Sequence, residues 1–176
     1  MNIRTATTLD RDGIRRVHLN AFPEGEGEII SRLAVELLSE NTTPETISLV
    51  ADMDGDIVGH VAFSPVTIDR DDNFRGYILA PLAVAPDHQH HGIGSRLIEH
   101  GLQQLSATGT NVVFVYGDPD YYGRFGFTAD AANHYNAPYK LEYPFGWQAL
   151  VLNGQAITNP PVAIRCVASL SDPELW

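Results

Sequence analysis

The chain has 176 residues, 44% of them hydrophobic, a formal charge of −11 and one cysteine, Cys166. That length predicts a single domain, 1–176, large enough to bury a substantial core. The acidic balance excludes non-specific nucleic-acid binding and is compatible with a cationic substrate such as an amine, or with solubility alone. No run reaches membrane-spanning length, no signal peptide opens the chain and no internal disulfide can form, so a cytoplasmic location off the membrane is expected.

Asn2–Ala6 reads as a short first strand. Thr8 or Asp10 is suited to cap a helix carrying Ile14, Val17 and Ala21 on one face. Ile29, Ile30, Leu33, Leu37 and Leu38 recur at helical spacing. Ile47–Ala51 and Ile57–Phe63 flank Asp54-Gly55, a hairpin turn signal, and the second run extends toward Ile68. After a polar turn at Asp69–Gly76, Tyr77–Val84 reads as a strand. Ile93, Leu97, Ile98, Leu102 and Leu105 give the next helix its apolar stripe. Val112–Tyr116 is uninterrupted and apolar, as a strand covered on both faces should be. Asp118-Pro119 starts a turn or a very short helix. Beyond Phe127 the chain is aromatic and loop-like, with apolar runs at Trp147–Leu152 and Val162–Val167.

Between the strand ending at Val84 and the helix starting at Ile93 lies Gln89-His90-His91-Gly92-Ile93-Gly94-Ser95. A glycine-rich turn there points backbone N–H groups outward at the positive end of a helix, which is a ready phosphate site. Gly92 and Gly94 let a ligand approach the backbone. A Walker A loop is excluded, because Ser95-Arg96 stands where Lys-Ser/Thr is needed. A dinucleotide fingerprint is excluded by Leu97 in place of its third small residue. His88, His90 and His91 match no standard zinc spacing, so no metal is expected.

QHHGIG resembles the acetyl-coenzyme A pyrophosphate loop of the GNAT N-acetyltransferases. Tyr121-Tyr122-Gly123-Arg124-Phe125-Gly126-Phe127 is similar to that family's Phe/Tyr-Tyr-x-Lys/Arg-x-Gly-Phe segment, and Leu82-Ala83-Val84-Ala85-Pro86 looks like its fourth strand and exit. The resemblance is firm over Tyr77–Phe127. Ala21–Leu38 and Gly117-Asp118-Pro119 look like a branch whose substrates are poorly defined.

The resemblance implies an α/β (α+β) fold: a mixed, mostly antiparallel central sheet, splayed between its fourth and fifth strands, with helices on both faces. It implies acetyl-coenzyme A as cosubstrate, bound by Leu82, Ala83, Val84, Gln89, His90, His91, Gly92, Ile93, Gly94, Ser95 and Arg96, with the pantetheine arm in the splay. Tyr122 aligns with the family's general acid near the sulfur; Tyr121 reads as packing. The acceptor is a small-molecule or protein amine. No carboxylate stands on the fourth strand, so the base is open among Glu24, Glu26, Glu28, His60 and water, or none is needed. Rival readings are a non-catalytic acyl-coenzyme A binding or sensing module, and a phosphate-ligand domain of another class. Dimerisation through the C-terminal strands is compatible with the sequence and not specified by it.

Overall fold

The computed structural model describes residues 1–69, 71–154 and 161–176. Arg70, inside the expected turn at Asp69–Gly76, lies outside them. The strands are β1 (Asn2–Thr5), β2 (Ile47–Met53), β3 (Asp56–Ile68), β4 (Gly76–Val84), β5 (Val112–Tyr116), β6 (Tyr135–Asn136), β7 (Trp147–Val151) and β8 (Val162–Arg165). The α-helices are α1 (Arg11–Ala21), α2 (Glu26–Ser39), α3 (Ile93–Ala107), α4 (Pro119–Tyr122) and α5 (Ala129–Ala132). Strand order is β1-β2-β3-β4-β5-β7, with β8 pairing β3 and β6. The β4–β5 pair is parallel, whereas β1–β2, β2–β3 and β5–β7 are antiparallel. This is the mixed sheet with flanking helices expected of the resemblance. The chain forms two compact units, one of residues 1–63 and 80–103, the other of residues 64–79 and 104–176.

In the first unit, β2 and β3 form a hairpin through Asp54-Gly55, both at positive φ (55° and 95°), as the Asp-Gly pair predicts. Consecutive strand residues face opposite sides. Val50 joins Ile14, Val17, Ala34, Ile57 and Ala83 in the core beneath α1 and α2. Its neighbour Ala51 faces the other way, toward Gly59, where a Cβ would meet Ile93 and Leu97 of α3 at 3.0 Å. A β-carbon on Gly101 would collide with Phe63, so α3 lies against β3 on two glycines, one from each element. Asp10 does occupy the N-cap position of α1, but its side chain does not cap it. Instead it accepts from the Thr7 amide at 2.7 Å and from both terminal nitrogens of Arg4 at 2.8 Å, and Arg4 also reaches Asp52.

In the second unit, Val112–Val115 is buried throughout, paired with Gly76–Leu79 on one side and with β7 on the other. The parallel ladder stops at Leu79–Val115; Pro81, two residues on, has no N–H to donate. Phe114 stacks on Trp147 (5.3 Å between centroids) and meets Tyr135 edge-on at 4.8 Å. The Trp147 indole donates to the Tyr135 carbonyl at 3.0 Å. The stretch after Phe127 is less loop-like than its composition suggests, because α5 and β6 form there; at four and two residues, neither is long enough to show a period.

One polar chain crosses the first unit's core. His18 of α1 and His60 of β3, both 0% exposed, share a hydrogen bond of 2.8 Å from Nε2 to Nδ1, and His60 Nε2 meets Ser48 Oγ at 2.9 Å. One ring must donate and the other accept. Burial holds both rings neutral, driving His18 down to about 4 and His60 well below 6.5. Unfolded, both would titrate near 6.5, so their contribution is complete above that pH and is lost as pH falls from 6.5 toward 4. For His18 alone this amounts to about 2 kcal/mol at pH 5, several degrees of melting temperature. Melting curves by circular dichroism between pH 7 and 5 should show this decline, and His18→Gln, which keeps a hydrogen-bonding side chain but cannot titrate, should make it shallower and leave the part due to His60. A slope that the substitution leaves unchanged would assign the acid sensitivity to groups other than His18; Asp10 is not among them, since Arg4 depresses it to about 2 and its window lies below 3.8.

Candidate functional site

The two motifs read from the sequence fall in different units and are built differently. In the first unit, β4 ends at Val84 and a 3-10 turn at Pro86–His88 redirects the chain. The turn is fixed from outside by Ala85, whose amide donates to the Val58 carbonyl at 2.8 Å. Gln89 folds back, its side-chain amide donating to the Val84 carbonyl at 3.1 Å. Gln89 thus ties the loop to the end of the strand, a role its place in the motif does not announce.

From there the backbone alternates in hand. His90 has φ 64° and Gly92 φ 76°, and the first helical hydrogen bond runs from the Arg96 amide to the Gly92 carbonyl at 3.0 Å. Among the described residues, the N–H groups of His90, His91, Gly92, Ile93, Gly94 and Ser95 donate to nothing. Helix N-termini leave such groups without internal partners, and alternating hand gathers them into an anion-binding nest. The open loop is held by a buried base: Ile93 is 4% exposed and Leu97 0%. The His90 and His91 rings are exposed, so their contribution to the loop is their amides. Arg96 differs from the rest of the predicted set. Its amide is spent within the helix, and its exposed guanidinium borders a surface depression with Asn2, Glu99 and His100. Leu82 and Val84 are half-buried and Ala83 is buried. No three His, Cys, Asp or Glu side chains among the described residues stand close enough to share a metal ion.

In the second unit, Asp118 caps α4 by accepting from the Asp120 amide at 2.9 Å, and Pro119 occupies its first turn. This single turn ends at Tyr122. The Tyr122 ring lies on Gly117, where a Cβ would come within 2.6 Å of it, and meets Phe127 edge-on at 6.0 Å. Glycine at 117 is therefore what lets the tyrosine sit against the end of β5. The Tyr122 hydroxyl bonds to no described residue, and burial raises its pKa above the ordinary 10, so the phenol stays protonated. Tyr121 packs against Tyr122 and Phe125, and the Arg124 guanidinium lies 4.5 Å from the Tyr121 ring centroid while its Nε donates to the Tyr121 carbonyl. Gly126 takes φ 92° to close the turn before buried Phe127.

The candidate bases separate by burial. His60 has both ring nitrogens engaged and no exposed surface, which makes it a core histidine rather than a group that meets substrate. Sequence reasoning saw His60 but not its partner, since nothing links His18 to it at a separation of 42 residues. Glu24, Glu26 and Glu28 are exposed around the start of α2, where carboxylates favour the helix dipole.

The model of the acetyltransferase (GNAT) family matches residues 11–127. The uncharacterized N-acetyltransferase YjhQ of Escherichia coli K12 is 36% identical over 169 residues, covering 94% of this chain and 89% of that protein. The crystal structure of the E. coli GNAT family N-acetyltransferase YhbS in complex with CoA is similar at a TM-score of 0.83, with 26% identity over 97% of this chain and 92% of that one. A GNAT family acetyltransferase from Brucella melitensis in complex with acetyl-CoA gives a TM-score of 0.75 and 31% identity over 97% of both chains. With the phosphate-type loop, the tyrosine turn and the mixed sheet in place, these similarities establish that the chain belongs to the GNAT family of acetyltransferases.

Proposed function

We propose that the protein transfers an acetyl group from acetyl-coenzyme A to a primary amine by direct attack, with Tyr122 as the proton donor to the leaving sulfur. The observation that carries this reading is the row of unpartnered N–H groups from His90 to Ser95, shaped for a pyrophosphate. The CoA and acetyl-CoA held by the two solved relatives support the choice of ligand.

In this reaction a neutral amine forms an N–C bond to the thioester carbonyl and the C–S bond breaks. The nitrogen loses a proton to water or to a surface base, the departing sulfur takes the Tyr122 proton and leaves as a thiol, and the phenolate regains a proton from water. A backbone N–H near Val84 stabilises the developing oxyanion. A phenol held above its usual pKa is a poor acid in the ground state against a thiol near 8.5. Its advantage is constancy: Tyr122 remains protonated at every working pH and can hydrogen-bond the charge that builds on sulfur.

Three outcomes are expected. Coenzyme A and acetyl-coenzyme A at about 100 times their dissociation constants should raise the melting temperature by several degrees, about 2.7 kcal/mol, while ATP and NAD do not; no shift with either coenzyme A species would remove the reading. By calorimetry, Gly92→Ala should weaken coenzyme A binding about tenfold through the cost of a Cβ at positive φ, while His90→Gly and His91→Ala stay within about threefold because the backbone does the binding. Tyr122→Phe should lower kcat by about 100-fold and leave coenzyme A affinity within about twofold; an unchanged kcat would take the acid role from Tyr122.

A further inference from the structure

Large apolar side chains left in solvent call for a reason when they cluster. Four are strongly exposed among the described residues, and two of these, Tyr143 at 54% and Phe145 at 66%, stand two residues apart with ring centroids 5.9 Å from each other. They ride on the 3-10 turn Pro144–Gly146 that leads into β7. The turn is built to hold them there. The Tyr143 amide donates to the Tyr116 hydroxyl at 2.9 Å, the Gly146 amide donates to the Tyr143 carbonyl at 2.9 Å, and the Gly117 amide donates to the Gly146 carbonyl at 3.0 Å. A Cβ on Gly146 would press on the Tyr116 ring and the Gly117 carbonyl. Gly117 is also the residue on which the Tyr122 ring lies. The aromatic pair is thus fastened, within one unit, to the end of the strand that leads into the proposed acid.

The charge around the pair is mainly negative, with Lys140 the exposed cation three residues before Tyr143. Asp118 and Asp120 follow Gly117, Glu142 precedes Tyr143, and all three carboxylates are exposed. Aromatic faces beside carboxylates suit a cation that carries an apolar body.

We infer that Tyr143 and Phe145 are specificity determinants for the acceptor and select primary amines bearing an aromatic or extended alkyl group over small hydrophilic amines. The inference rests on the acetyl-transfer reading above. The apolar body lies on the two rings, and the carboxylates favour the ammonium form on approach, before the proton is lost and the nitrogen attacks. Such contacts act on binding more than on the chemical step.

The test compares kcat/KM for 2-phenylethylamine and ethylamine in the full chain. Wild type should prefer the aryl amine by at least about tenfold, and Phe145→Ala and Tyr143→Ala should each reduce that ratio about fivefold or more through KM, with kcat little changed. Because both side chains are exposed, melting temperatures should stay within a few degrees. Phe145→Leu, which keeps apolar area but removes the ring face, should fall between wild type and Phe145→Ala. Equal use of the two amines by wild type, or a ratio untouched by Phe145→Ala, would overturn the inference. So would a wild-type dimer that becomes monomeric in the Tyr143→Ala/Phe145→Ala double variant with the ratio unchanged, which would give the surface to a second copy. Failure of the underlying function shows separately, either as no coenzyme A melting shift or as a shift with no acetyl transfer to either amine.

Discussion

An α-helix that begins in the open must find partners for its first N–H groups, and in this protein the start of α3 supplies none of its own. The rest of the first unit can be understood as the means of holding that start still while leaving it unpaired. Gly59 and Gly101 remove the β-carbons that would keep α3 off β3. Ile93 and Leu97 bury the inner side of the first two turns, so the outer side cannot rotate away. Gln89 ties the loop to the carbonyl of Val84, and Ala85 ties the turn to Val58. Positive φ at His90 and Gly92 then aims successive amides outward. At His90 that conformation costs about 1 kcal/mol or more in a residue with a β-carbon. Such strain persists where the surroundings fix it, and a site that must be preorganised for a polyanion is such a place.

The second unit solves a different problem with similar economy. Tyr122 needs a fixed ring and a free hydroxyl. Gly117 gives the ring a flat seat, Phe127 closes one edge, and the Asp118 cap makes a stable single turn from a segment too short to hold as a helix alone. The burial that fixes the ring also keeps the phenol protonated, so position and protonation state have one cause. The neighbouring aromatic turn is fastened to the same glycine, so Tyr122 and the Tyr143–Phe145 pair share one anchor.

The parts legible in the sequence were those with a period or a turn signal. β5 runs over Val112–Tyr116 as its unbroken apolar run predicts, and Asp54-Gly55 makes the expected hairpin. The loop and the tyrosine turn were legible as motifs, since their chemistry is backbone geometry written in glycine spacing. What could not be read was long-range. His18 finds His60, and Arg4 finds both Asp10 and Asp52, across separations that no local pattern encodes. Asp10 looked like a helix cap and stands at the cap position, yet Arg4 and Thr7 compete more strongly for its carboxylate than the helix does. The aromatic turn at Tyr143–Gly146 was legible only as loop, because its meaning lies in a hydrogen bond to Gly117.

The charge of the chain bears on how it recognises a polyanion at all. With 22 acidic and 11 basic side chains, the average field repels phosphate. The two arginines nearest the motifs do little to reverse it. The Arg96 amide is used inside α3 and its guanidinium borders a surface depression shared with Glu99, while Arg124 is held over Tyr121 by its own turn. In the proposed function, attraction comes from fixed dipoles at short range: the N–H row and the end of α3. Dipoles fall off faster with distance than charges do, and contacts at hydrogen-bond distance are little screened by salt. An acidic protein that binds a polyanion this way keeps its long-range field for the other substrate. That field draws cations, and the carboxylates beside Tyr143 and Phe145 are where a protonated amine would meet it.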